Sequence, residues 1–171
     1  MEELIVEWLV PVDAPAYRDY ADRESLFAMV IPLVPEQGRF LIAHHRWRDT
    51  WELPSGKVEP GERPTQTAER ELLEEMGAQV DRLRPLGILL TRLGKAPGQG
   101  HLYWGEVIRW GDLPRGSEMD EVRAFSPDML LPAGRMAPVT RWVVRWIGCR
   151  LITPTEPWAI FKERGTSWIW D

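Results

Sequence analysis

Cysteine is almost absent from this 171-residue chain. Cys149 stands alone, which excludes an intramolecular disulfide and a cysteine-based zinc site. It falls in the apolar stretch RWVVRWIGCRL, where a buried, inert thiol is expected. Lysine is scarce too, with Lys57, Lys95 and Lys162 the only three; no function follows from that bias. Acidic residues (26) outnumber basic ones (21), for a net charge of -5. That excludes a long surface tracking nucleic-acid phosphates. A small phosphorylated substrate stays compatible, because a bound cation reverses the sign locally. No apolar run is long enough to cross a membrane as a helix. The opening MEELIVEWLV carries glutamates where a signal peptide carries positive charge. A cytoplasmic location is expected. Internal repeats and low-complexity tracts are also missing.

Hydrophobic residues make up 44% of the chain and charged residues 27%, a composition that supports one core at this length. The expected organisation is a single domain over residues 1–171. It has an irregular segment to about residue 25 and a Trp-rich tail from about residue 151. SLFAMVIPLV and RFLIAHHR read as strands joined at PEQG, with Pro32 and Pro35 at strand limits or on an edge. RWRDTWELPSG reads as a loop with aromatic anchors. PLGILLTRL and HLYWGEVIRW read as paired strands separated by a loop, GKAPGQG, and EVRAFSP as a further short strand. Apolar residues Val139, Trp142, Val143, Trp146 and Ile147 recur at helical spacing. Strands on both sides of a helix, then a final helix, predict an α/β fold with a mixed sheet and helices on its faces. The ten tryptophans are read as core or interface, with Trp158, Trp168 and Trp170 capping an open sheet or burying against a second subunit.

A helix is predicted from Pro64 to Met76. Pro64 suits its first position and Gly77 its C-terminal stop. On a helical wheel Glu71, Glu74 and Glu75 share one face, and Ala68, Leu72, Leu73 and Met76 form the stripe expected to bury. Glu69 falls inside that stripe without a reason in the sequence. Like charges at i,i+4 cost a helix roughly 0.2–0.5 kcal/mol per pair, so something should offset the clustering. The plain alternative is a solvated acidic face. The glycine turn PSGKVEPGE just before the helix favours a bound cation instead. It lets backbone carbonyls approach, and Mg²⁺ takes oxygen ligands together with substrate phosphates.

Gly56, Glu62, Arg70, Glu71, Leu72, Glu74, Glu75, Gly77 and Ala78 match every fixed position of the Nudix box, over residues 56–78. The chain therefore resembles the Nudix hydrolase family. The flanking strands and EMDEVRAFSPDMLL look like the rest of such a domain, although Ala124 stands where Trp is common. The resemblance implies an α/β/α sandwich and a hydrolase that cleaves a nucleoside diphosphate linked to another moiety, using Mg²⁺ or Mn²⁺. It implies Glu71, Glu74 and Glu75 as metal ligands with the Ser55 carbonyl, and Arg70 orienting the carboxylates. Gly56 and Glu62 would shape the loop. The base would be a glutamate of the box or an acidic residue of a later loop, where Glu118 matches best and Asp120 and Glu121 are rivals. Arg46, Trp51, Lys57 and His101 are candidates for substrate contact. GKAPGQG resembles a Pro-Gly loop of the ADP-ribose pyrophosphatase branch, though the usual acidic residue after it is missing. TWELPSGKVEPGE suits the MutT-like branch equally well. ADP-ribose or an ADP-sugar is thus slightly preferred over a nucleoside triphosphate, and dinucleoside polyphosphates stay open. The expected partner is a small nucleotide, with no stable nucleic-acid partner and no membrane; a homodimer is an open option. A nucleotide sensor that does not cleave is the alternative from another class. Such a module should have lost box residues, and none is lost here.

Overall fold

The computed structural model describes residues 2–127, 129 and 135–150; the side chains of 149 and 150 are outside that description. The Cys149 thiol and Trp158, Trp168 and Trp170 therefore lie outside the described residues. Strand β1 (Leu4–Pro11) and a short helix α1 (Tyr17–Ala21) come first. Next are β2 (Phe27–Val34), a 3₁₀ turn (Pro35–Gln37) and β3 (Arg39–His45). β4 (Thr50–Glu52) and β5 (Ser55–Lys57) lead into α2 (Pro64–Met76). β6 (Gln79–Val80), β7 (Arg84–Leu93), β8 (Ala96–Arg109), β9 (Met119–Phe125), β10 (Arg135–Met136) and α3 (Pro138–Arg150) complete it.

The strands form one mixed, ten-stranded sheet whose main path is β1-β7-β8-β2-β3-β4-β10. β2 runs parallel to β8 and β10 parallel to β4; the other pairs are antiparallel. Both faces are covered, and the period of two along β2 and β3 sorts the core. Met29, Ile31, Leu33, Phe40 and Ile42 pack with Trp51, Leu53, Val143, Val144 and Ile147 on the α3 side. Leu41, Ala43 and Val34 meet Leu72 and Met76 of α2, while Ala28 and Val30 meet Ala68 and Tyr103. This is the expected α/β/α sandwich. No described helix is long and apolar enough to cross a membrane.

Several local expectations change. The segment before residue 25 is not irregular throughout, because β1 pairs along nearly its whole length with β7. Its alternation was masked by Glu7 and by a register shift between Val6 and Trp8. Two short strands, β4 and β5, occupy the expected loop RWRDTWELPSG. The expected loop GKAPGQG is mostly strand. Ala96, Pro97, Gly98, Gln99 and Gly100 pair with Leu93 back to Leu89, and Gly94 (φ 57°) makes the tight turn. Pro32 lies inside β2, opposite Gly105 of β8, rather than at a limit or an edge. On its other side β2 pairs with β5 only at 27–29 and with β3 only at 33–34, so Pro32 sits in a gap where a missing N–H is tolerated.

Helix α2 is rotated from the expected wheel. Its buried residues are Thr67, Ala68, Leu72 and Met76, and Leu73 is 43% exposed beside the exposed Glu69. With Glu71 at zero and about 100° per residue, the buried arc runs from roughly -40° to roughly +140°. Glu71 and Glu75 fall inside it, and only Glu74 projects outward. Glu69 was thus no anomaly: it shares the outer face with Leu73. In urea denaturation, Leu72→Ala should cost about 2–5 kcal/mol. Leu73→Ala should cost under about 1 kcal/mol, and equal losses would contradict this rotation.

Candidate active site

The box folds the way it does because its loop and helix are tied by one arginine. Arg70 grips Glu62 with two parallel hydrogen bonds, Nε to Oε1 (2.9 Å) and Nη2 to Oε2 (3.0 Å). The same guanidinium donates to the Lys57 carbonyl (3.2 Å), to Glu71 and, at longer range, to Glu74 (3.4 Å). Glu62 also accepts from Thr67 Oγ1 (2.7 Å) and from the Glu59 amide (3.1 Å). Gly56 is required by close approach, since a Cβ there would lie 1.8 Å from Glu71 Oε1. Gly77 closes the helix in the left-handed region (φ 58°), and a Cβ would meet the Asp112 carbonyl at 2.4 Å. Ser55 N–H donates to Glu75 Oε2 (2.9 Å), which holds β5 against the helix.

Burial sets the electrostatics. It pushes the Glu75 carboxyl up to about 8; the Ser55 amide opposes this, and the charges of Glu71 and Glu52 add to it. Burial also raises Glu71, against the pull of Arg70. Glu62 moves the other way, to about 2, because Arg70 and then Thr67 hydrogen-bond its ionised form. So Glu75 is buried with only a backbone amide as its hydrogen-bond partner, next to a Glu71 already drawn to Arg70, and this pair of carboxylates suits a divalent ion with oxygen ligands. Among the described residues no three acidic or histidine groups are already gathered for a metal. Glu71 is drawn to Arg70 and Glu75 to the Ser55 amide, so binding would require both carboxylates to turn.

The loop before β9 leans on the same helix. Ser117 Oγ donates to the Glu74 carbonyl (2.9 Å). Arg46 clamps the loop from β3: its amide donates to the Glu118 carbonyl (3.1 Å) and its Nη2 to the Met119 carbonyl (3.0 Å). Glu118 Oε2 meets His45 Nε2 at 3.2 Å, and His45 Nδ1 accepts the Arg48 amide (3.3 Å). The rivals are engaged elsewhere, Asp120 by His44 (2.7 Å) and Glu121 by Arg123.

The four substrate candidates are not brought together. Arg46 lies at this loop, whereas Lys57 and His101 line a separate cleft at the start of α2. Trp51 is 1% exposed, so the expectation of a base stacking there fails: the ring belongs to the core on the α3 side. Sequence reasoning missed Glu52, which is buried, accepts from Thr50 Oγ1 and Arg48 Nη2, and adds to the shift of Glu75. Sequence reasoning also gave His45 no role. The signal for Glu52 was its place in WELPSG, directly before the box; nothing local announced the His45 contact.

A carboxyl raised from 4.5 to about 8 stabilises the fold below pH 4.5 and loses that contribution as pH rises through 8. Metal-free protein in EDTA should therefore melt at falling temperature between about pH 5 and 8.5. Glu75→Gln should flatten that slope in scanning calorimetry, and Mg²⁺ should raise Tm at high pH in the parent only. Identical slopes would overturn the assignment.

Comparison with known proteins agrees with this architecture. The family model described as NUDIX domain matches residues 25–147. A Bacillus subtilis (strain 168) protein named "Putative 8-oxo-dGTP diphosphatase" is 30% identical over 103 residues, covering 60% of this chain and 67% of its own. The crystal structure of the Bacillus subtilis pyrophosphohydrolase BsRppH superposes with a TM-score of 0.63 at 22% identity, over 95% of this chain and 92% of that one. A MutT NUDIX hydrolase from Burkholderia pseudomallei gives 0.56 at 20% identity, over 72% and 98%. At these identities the two structures speak for the fold alone. With a complete box on a loop and helix locked by Arg70, and a family match over most of its length, the chain belongs to the Nudix hydrolase family.

Proposed function

We propose that this protein hydrolyses the diphosphate linkage of a nucleotide with a divalent cation, Mg²⁺ or Mn²⁺, as its family generally does. The observation that carries this is Glu75, pushed up by burial with only the Ser55 amide as its hydrogen-bond partner, beside Glu71, which burial also raises against the pull of Arg70. Glu71, Glu74, Glu75 and the Ser55 carbonyl would hold the ion. A bound cation supplies charge neutralisation at phosphoryl oxygens and acidifies a water. Arg70 keeps the carboxylates oriented through its grip on Glu62. Glu118 is the preferred base because it matches the acidic loop best and that loop is held to α2 through Ser117; Asp120 and Glu121 stay as rivals, since each of the three has one oxygen engaged, by His45, His44 and Arg123. Water oxygen bonds to phosphorus, its proton goes to Glu118, and the bridging P–O bond breaks with the leaving phosphate keeping the electron pair.

For the substrate, the slight preference for ADP-ribose rested on the resemblance of GKAPGQG to a Pro-Gly loop of that branch. Those residues are taken up in the β7–β8 hairpin, which removes that support. The 30% identical relative is named for a nucleoside triphosphate, 8-oxo-dGTP. We therefore favour a nucleoside triphosphate, released as monophosphate and pyrophosphate, over ADP-ribose, ADP-sugars and dinucleoside polyphosphates.

A panel of these nucleotides with Mg²⁺, Mn²⁺ or EDTA tests the reading. Metal-dependent release from a triphosphate is expected, and Glu75→Gln should lower kcat at least about 10²-fold without unfolding the protein. Turnover unaffected by Glu75→Gln would remove the metal assignment. Nucleotide binding without turnover would favour the sensor.

A further inference from the structure

A cleft of about 720 Å³ opens where the N-terminal end of α2 meets the segment after α1 and the strand β8. Neither the metal candidates nor the Glu118 loop line it. Its buried wall holds His101 and Tyr103, which are 7% and 6% exposed. They are two apart on β8, so their side chains share a face, and the rings stack at 5.7 Å with 13° between planes. His101 Nδ1 meets Ser25 Oγ at 2.6 Å. Neither His101 Nε2 nor the Tyr103 hydroxyl hydrogen-bonds to any described residue, although both residues line the cleft. Both residues are more than nine-tenths buried, yet each keeps at the cleft a polar atom that no described residue uses, and a ligand seated there would meet both.

The chemistry of that ligand follows from what the cleft offers. Gln99 Nε2 donates to the Tyr20 carbonyl (2.7 Å) and turns a second hydrogen toward Ser25 Oγ (3.5 Å). Ser25 Oγ–H then donates to His101 Nδ1, a pattern in which the imidazole proton sits on Nε2. The phenol is a second donor. The first turn of α2 is a third, since the Thr65 amide has no partner within the helix and the helix dipole is positive there. Arg23, Lys57 and Arg63 add positive charge to the lining. Of the three carboxylates in it, Glu62 is engaged by Arg70 and Thr67, and Glu24 and Glu59 stand exposed. Convergent donors at a helix N-terminus suit a tetrahedral anion, whose oxygens diverge, better than a flat carboxylate with two.

We propose that this cleft is a second ligand site, binding the phosphate group of a small molecule through His101, Tyr103 and the first turn of α2. Its volume lies in the range of small-molecule sites, so a nucleoside monophosphate fits as well as free phosphate. The inference stands apart from the metal assignment, because none of the groups it uses is a metal candidate.

The test titrates inorganic phosphate and AMP into the full chain in EDTA, which silences a metal centre. Calorimetry gives Kd, and long-range ¹H–¹⁵N spectra follow the His101 ring. Saturable binding is expected, with a shift at His101 Nε2. Tyr103→Phe should weaken it at least about fivefold, the scale of one hydrogen bond, and Glu75→Gln should leave it unchanged. AMP binding more tightly than phosphate would identify a nucleotide site, and equal affinity a site for the phosphate group alone. The proposal fails if neither probe saturates, if the His101 ring does not respond in the parent protein, if folded Tyr103→Phe binds as well, or if Glu75→Gln abolishes binding.

Discussion

Much of this structure depends on the hydrogen bonds from Arg70 to Glu62. A guanidinium and a carboxylate meeting with two parallel bonds are fixed in plane as well as in distance. Glu62 belongs to the loop and Arg70 to the helix, so the pair sets how the box closes. The remaining donors of Arg70 reach the Lys57 carbonyl, Glu71 and Glu74, which ties β5 to the same point. Gly56 then has no room for a side chain, and Glu75 falls where the Ser55 amide can reach it. One cation thus organises one strand, one loop and the carboxylates of one helix.

That arrangement is poorly balanced without a ligand. Glu71 and Glu75 turn inward, among Leu72, Met76 and the short strand β5, where an ionised carboxylate is costly. Arg70 offsets the cost at Glu71 and at Glu62, but Glu75 has only a backbone amide. Glu52 deepens the deficit from the sheet side. Under the proposed function, a cation arriving here would relieve these charges and so couple its binding to the conformation of the box. The same helix presents its positive end, at Pro64 and Thr65, to the cleft lined by His101 and Tyr103. The two ends of α2 therefore face different surroundings, one rich in carboxylates and one rich in donors.

The sheet supplies the frame for both. β2 is hydrogen-bonded to β8 on one side and to β5 and β3 on the other. This places His101 and Tyr103 of β8, Ser55 of β5 and His45 of β3 around a single strand. The 117–118 segment is drawn in by Ser117 on α2, by His45 at the end of β3 and by Arg46 just after it. A residue far away in sequence, Glu118, is thereby held near the helix, with one carboxylate oxygen on His45.

The sequence by itself determined the helix with both its ends, the strands β2 and β3 with the turn between them, the hairpin partners β7 and β8, the α/β class and the box. Each of these is local or periodic: Pro64 and Gly77 punctuate, alternation marks strands, and the spacing of Gly56, Glu62 and Arg70 is fixed within 23 residues. Tertiary structure decided what depends on neighbours. It chose which arc of α2 faces inward, because α2 packs on β2 and β5, and β5 lies against the side that carries Glu71 and Glu75. It buried Trp51, paired His45 with Glu118, and absorbed GKAPGQG into a hairpin. These are contacts between segments distant in sequence or matters of strand register, and side-chain identity read in order along the chain carries no information about which distant group will stand opposite.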